Sequence, residues 1–210
     1  SPSPLLLEVV KAEGVFMHGP SGEKYLDLIS GVSVSNTGHR HPKVVNGIRE
    51  QLDAYMHLMV YGEMIQSPQV KYAELLAKHL PPSLSSTYFV NSGSEAVEGA
   101  LKLARRFTGR SKIVSFRNAY HGSTIGALSV QGSEDYKTAF RPLIPDIWLA
   151  GFNDPDSLGI IDSNTACVIV EPIQGEGGII TPRDGFLEML RKQCSEEGTL
   201  LIFDEIQTGF

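Results

Sequence analysis

Apolar residues change their spacing along this chain, and each change marks an element. Before residue 30 they come in short clusters. Val15-Phe16-Met17 and Tyr25-Leu26-Asp27-Leu28 flank Gly19-Pro20-Ser21-Gly22, a turn composition, and predict a hairpin. Pro42 opens a stretch in which Val44, Val45, Ile48 and Leu52 recur at helical spacing. A further helix is expected over about 67–80, stopped by Pro81-Pro82. From there strand and helix patterns alternate. Tyr88-Phe89-Val90 predicts a short strand. Residues 94–107 predict an amphipathic helix with Ala96, Val97, Ala100, Leu101, Ala104 and Phe107 inward. Residues 113–116 and 147–149 predict two strands, and the apolar run 167–170 a buried one. Residues 182–197 predict a helix with Thr181 as cap, Pro182 in its first turn and Gly198 as its stop, and Leu200-Leu201-Ile202-Phe203 a last strand. Alternation of this kind gives an α/β fold, a mostly parallel sheet with helices on both faces.

Such sheets gather ligands at the carboxyl ends of their strands. The residues there are polar, and three of the four stretches contain glycine: 91–94, 117–122, 171–178 and 204–207. Ser92-Gly93-Ser94-Glu95 joins a strand to a helix start, where free N–H groups and the helix dipole favour an anion such as phosphate. The same four residues also read as a capping box, with Ser92 bonded to the Glu95 N–H. Tyr120 offers a flat ring at a strand end, suited to stacking on a heterocycle or to packing, and His121 beside it reads as a base or as a scaffold residue. Glu171 and Glu176 stand in Glu-Pro-Ile-Gln-Gly-Glu-Gly-Gly, either as acid–base groups or as part of a solvated loop. Asp204 ends a buried strand, and an acid there needs a partner. A protonated pyridine nitrogen is one such partner, and the electron-poor ring would then stabilise negative charge at a substrate carbon. Mg²⁺ on a Walker B strand is the competing reading. It requires a GxxxxGK[ST] loop, and no Gly-Lys-Ser or Gly-Lys-Thr occurs.

Composition narrows the classes further. The 210 residues carry a net charge of −6, with 41% apolar and 20% charged residues. Without a basic cluster a nucleic-acid groove is not expected. No apolar run reaches the roughly 18 residues of a membrane span. Ser1-Pro2-Ser3-Pro4 lacks the basic and apolar regions of a signal peptide. Cys167 and Cys194 form no CxxC pair and read as free thiols in a reducing compartment, so a cytoplasmic location is expected. His39 and His41 have no further ligand cluster around them, and no metal is expected. Both ends of the chain read as cuts through something larger.

Taken in order, 91–105 (Asn-Ser-Gly-Ser-Glu-Ala-Val-Glu-Gly-Ala-Leu-Lys-Leu-Ala-Arg), Tyr120-His121-Gly122, 171–178 and 201–210 (Leu-Ile-Phe-Asp-Glu-Ile-Gln-Thr-Gly-Phe) resemble the class III aminotransferases, as do 25–31 and 38–42. The resemblance implies the pyridoxal-5'-phosphate (PLP) dependent transferase fold type I. On it, residues 1–38 are the N-terminal segment of a small domain and 39–210 an incomplete PLP-binding large domain. It implies a homodimer with its active sites at the interface, and transfer of an amino group, a terminal one on an ω-amino acid or amine, to a 2-oxo acid. Ser92, Gly93 and Ser94 would hold the cofactor's phosphate. Tyr120 and Ile206 would flank its ring, Asp204 would pair with the ring nitrogen, and Gln207 would bond the 3' oxygen. Glu171 would orient the site, through that oxygen or His121, and Glu176 would act as a gate. The family's Schiff-base lysine is expected after Phe210, and none of the lysines present matches it. An aminomutase or racemase, or a non-catalytic fragment lacking that lysine, are the alternatives on the same fold. Acetylornithine and ornithine members typically carry arginine right after the aromatic-x-Gly; Ser123 stands there in this chain.

Overall fold

A computed structural model describes residues 3–59 and 62–209. Ser1, Pro2 and Phe210, the last residue of the 201–210 motif, lie outside the described residues. The chain forms two compact units, Ser1–Tyr88 and Phe89–Phe210. This division by compactness is a separate matter from the domain boundary expected after Gly38.

In the first unit, β1 (Lys11–Glu13), β2 (Phe16–His18) and β3 (Lys24–Leu26) form an antiparallel meander. The expected hairpin is β2–β3, with Phe16 opposite Leu26 and His18 opposite Lys24. The Lys24 ammonium stands over the Phe16 ring, 3.7 Å from its centroid. Helices α1 (Pro42–Ala54) and α2 (Ser67–His79) follow, each with proline in its first turn. Neither buries a side chain.

The second unit is built on four parallel strands in the order β5-β4-β6-β7: β4 (Lys112–Phe116), β5 (Ile147–Ala150), β6 (Thr165–Val170) and β7 (Leu200–Phe203). Side chains alternate between the faces of a strand. On one face Val114, Phe116, Val168 and Val170 pack with Phe186, Leu190 and Cys194 of α5 (Phe186–Glu196). On the other, Ile113, Cys167 and Ile169 pack with Val97, Leu101 and Ala104 of α3 (Gly93–Thr108). A short helix, α4 (Ile125–Ser129), joins this second layer through Ala127. Every residue of β6 is buried, which is why its sequence is apolar without alternation. Phe116, Phe152 and Phe186 meet edge-to-face at 5.2–6.0 Å.

Three expectations need correction. Residues 88–90 belong to no strand of the described sheet: its edges are β5 and β7, and a strand exists only through a ladder with a neighbour. Helix α3 turns Val97, Leu101 and Ala104 inward, but Ala96 and Phe107 face out, Phe107 with 76% of its surface exposed. The helix carries two apolar stripes, 97/101/104 and 96/100/103/107, and the sheet covers the first. Helix α5 begins at Phe186 rather than 182. Asn153 captures the backbone before it, donating to the Thr181 carbonyl and accepting from the Arg183 N–H, so the chain enters the helix through Gly185 at φ 80°.

Candidate active site

The carboxyl ends of β4, β6 and β7 open on one side of the sheet. Val170 pairs with Phe203, so the next residues, Glu171 and Asp204, leave adjacent strands side by side. The Asp204 N–H extends the ladder by one bond, to the Val170 carbonyl at 2.8 Å. Glu171 reaches across to the loop after β4: its two oxygens accept from the Tyr120 N–H at 3.1 Å and the Gly175 N–H at 3.3 Å. Asp204 reaches the same loop, one carboxylate oxygen lying 2.7 Å from His121 Nδ1. The side chains of this pair are 0% and 6% exposed. His121 must donate here, so Nδ1 carries a proton, and its Nε2 is buried with no partner among the described residues.

The helix start completes the arrangement. Ser92 accepts the Glu95 N–H at 3.2 Å, and the Glu95 carboxylate accepts from the Asn91 N–H at 2.7 Å, so the capping reading is realised. It does not use up the helix terminus. No acceptor for the Gly93 and Ser94 N–H groups occurs among the described residues, as the first turn of a helix allows. The Ser94 hydroxyl oxygen accepts from the Ser123 N–H at 3.2 Å and keeps its own hydrogen to donate.

One cavity of about 220 Å³ joins these groups. Every residue expected to hold the cofactor or act on it lines this cavity: Ser92, Gly93, Ser94, Tyr120, His121, Glu171, Glu176, Asp204, Ile206 and Gln207. Two glycines shape it. A side chain at Gly93 would strike Ile206 Cδ1 at 2.7 Å, and one at Gly122 would strike Ser94 Oγ at 2.2 Å. Gly122 also has φ +116°, a region side chains rarely enter. Gly122, Ile173 and Thr208 line the cavity as well and were not singled out as site residues. All three sit inside the quoted motifs, so adjacency was the signal for them.

The cavity is acidic. Glu171, Glu176 and Asp204 face it, and no lysine or arginine lines it among the described residues. Burial raises the Glu171 carboxyl above the usual carboxylate range, against the pull of the two N–H donors and His121. Elsewhere, His39 lies 2.7 Å from Asp27, and no described group of three His, Cys, Asp or Glu residues could hold a metal. No described helix is long and apolar enough to cross a membrane.

Residues 1–210 match the family Aminotransferase class-III. The chain belongs to the class III aminotransferases. It is 42% identical over 204 residues to the acetylornithine aminotransferase of Methanopyrus kandleri, covering 96% of this chain and 51% of that protein. It is 42% identical over 205 residues to the LysW-aminoadipate semialdehyde/glutamate semialdehyde transaminase of Sulfurisphaera tokodaii, covering 97% and 52%. Among solved structures, it superposes on adenosylmethionine-8-amino-7-oxononanoate aminotransferase from Methanocaldococcus jannaschii with a TM-score of 0.90 at 32% identity, over 99% of this chain and 50% of that one. A PLP-bound amine transaminase from an uncultivated Pseudomonas species gives 0.88 at 28%, over 97% and 52%. The chain thus spans about half the length of the curated class III aminotransferases it matches. Its α/β unit is the N-terminal part of fold type I, and pyridoxal 5'-phosphate is the cofactor of this family.

Proposed function

We propose that the protein is a PLP-dependent aminotransferase that moves a terminal amino group, from an ω-amino acid or amine, to a 2-oxo acid. The observation that carries this is the meeting of a free helix start and a buried, His-held carboxylate in one cavity. PLP has an anion at one end and a basic ring nitrogen at another, and the residues present fit both.

The Gly93 and Ser94 N–H groups and the Ser94 hydroxyl would bind the phosphate, with the helix dipole favouring its charge. Asp204, held in place by the His121 N–H, would pair with the protonated ring nitrogen. Tyr120 and Ile206 would flank the ring and exclude water. Gln207 would donate to the 3' oxygen, and Glu171 would fix the Tyr120 backbone behind it. Glu176 would act as the gate of the substrate side. Bound there, PLP supplies an electron sink that acidifies the C–H bond beside the amino nitrogen.

The names of the relatives support the terminal amino group, since acetylornithine and aminoadipate semialdehyde chemistry involves the end of the carbon chain. Ser123, in place of the arginine expected for acetylornithine, favours another ω-amino substrate. The complete protein would be a homodimer, with residues 1–38 in its small domain. The lysine for covalent attachment would come from outside the described lining of the cavity, and residues 1–210 alone would bind PLP reversibly.

The complete protein should therefore be yellow, and borohydride should fix the cofactor to a lysine. Asp204→Asn keeps the side-chain shape but cannot hold the proton. It should lower transamination by about 100-fold or more while the melting temperature stays close to wild type. Unchanged turnover in that variant rejects the role of Asp204.

A further inference from the structure

Between α4 and β5 the chain doubles back over the loop that carries Tyr120. The Gly132 N–H donates to the Ala119 carbonyl at 2.8 Å, and the Gln131 side-chain amide donates to the Gly122 carbonyl. A methyl group at Gly132 would lie 2.3 Å from the Asn118 nitrogen and 2.4 Å from the Phe116 carbonyl oxygen, so the two stretches run backbone against backbone. Lys137 locks the return. It is 4% exposed, donates to the Gln131 carbonyl at 2.9 Å and pairs with Glu134 at 3.0 Å. Burying an ammonium is costly unless it is paired, so these contacts hold the segment in one conformation.

What the return delivers is an aromatic ring. Tyr136 precedes the buried lysine and meets Tyr120 edge-to-face, with centroids 6.1 Å apart and planes at 78°. Tyr136 is 53% exposed, so its ring adds little to the core. Tyr120 is itself 38% exposed where it lines the cavity, and a ring so free needs a brace to present one face in one direction.

We propose that Tyr136, anchored by Lys137 and Gln131, is a positioning residue that sets the plane of Tyr120 for stacking on the cofactor ring. The inference rests on the reading that Tyr120 flanks PLP. Tyr136 is not among the residues that line the cavity, so on this reading it acts through Tyr120.

The test is PLP titration of the apoprotein, followed by fluorescence quenching and by the induced visible circular dichroism of the bound cofactor. Tyr136→Ala should weaken PLP binding about 3- to 10-fold and reduce the dichroic band, with the melting temperature of the apoprotein within about 2 °C of wild type. Tyr136→Phe keeps the ring and should restore both signals. Wild-type affinity and dichroism in Tyr136→Ala, alongside clear loss in Tyr120→Ala, would overturn the bracing role and leave the pocket assignment standing. If Tyr120→Ala also binds PLP like wild type, the assignment of Tyr120 itself falls, and the brace with it.

Discussion

The two ends of the parallel sheet are built to different standards. At the amino ends of the strands, buried and half-buried polar groups find partners among the described residues. Arg110 donates to the carbonyls of Thr165, Glu197 and Gly198 at 3.0–3.2 Å. Lys112 holds the Ile160 carbonyl and pairs with Asp162 at 2.9 Å. Thr199 bonds the Thr165 carbonyl, and Gln193 the Ile161 carbonyl. At the carboxyl ends the accounts stay open. His121 Nε2, Gln131 Oε1 and Gln174 Oε1, all on chain that leaves β4 or β6, are buried without a partner among the described residues. Buried polar atoms are nearly always satisfied, so a cluster of exceptions at one edge marks where the molecule is arranged for something other than its own stability. The amino ends hold the sheet together; the carboxyl ends hold groups in readiness.

That contrast can be broken at either end. Arg110→Met keeps most of the side chain's bulk and removes a cation shared by three carbonyls. It should lower stability by about 2–3 kcal/mol, read from urea midpoints, and leave PLP affinity unchanged. A loss of PLP affinity without loss of stability would erase the distinction between the ends.

A smaller effect is expected at Glu171, and its sign follows from burial. Because its carboxyl titrates above the ordinary range in the folded protein, the fold binds a proton more tightly there than the unfolded chain does. That contribution is fully present below the unfolded value of about 4.3 and is lost as pH rises through the higher folded value. Over this window wild type should lose more stability than Glu171→Gln, whatever constant offset the amide introduces. Parallel curves of melting temperature against pH for the two proteins would remove Glu171 from the open end.

The smallest change is predicted for His121→Asn. Asn Nδ2 can donate to Asp204 much as Nδ1 does, and the orphaned Nε2 disappears. Stability should stay within about 1 kcal/mol of wild type, by denaturant unfolding. A much larger loss would mean that the imidazole is a structural pillar.

The same contrast explains what could be read from the amino-acid order. Strand β6 was legible because burial on both faces writes it as an unbroken apolar run, and β4 and β7 because most of their residues are apolar, with the chemistry immediately after each. The cavity was legible because its residues sit in short glycine-containing motifs at those ends. Contacts between distant segments were not legible. The start of α5 depends on Asn153, some thirty residues earlier, and nothing in 182–185 announces that capture. Phe107 was turned the wrong way because α3 has two apolar stripes and periodicity cannot say which one meets the sheet. The stretch 131–137 carries no motif and no periodicity. Its role is visible only once Gly132 is seen lying on Ala119.

One close approach has a wider consequence. The space a methyl group would need at residue 93 is taken by the tip of Ile206, across the cavity. The two positions are therefore coupled: bulk added at the first has to be met by a shift or a trim of the second. Along a lineage they should tend to change together, and an engineer who wishes to reshape the slot has reason to recode both codons.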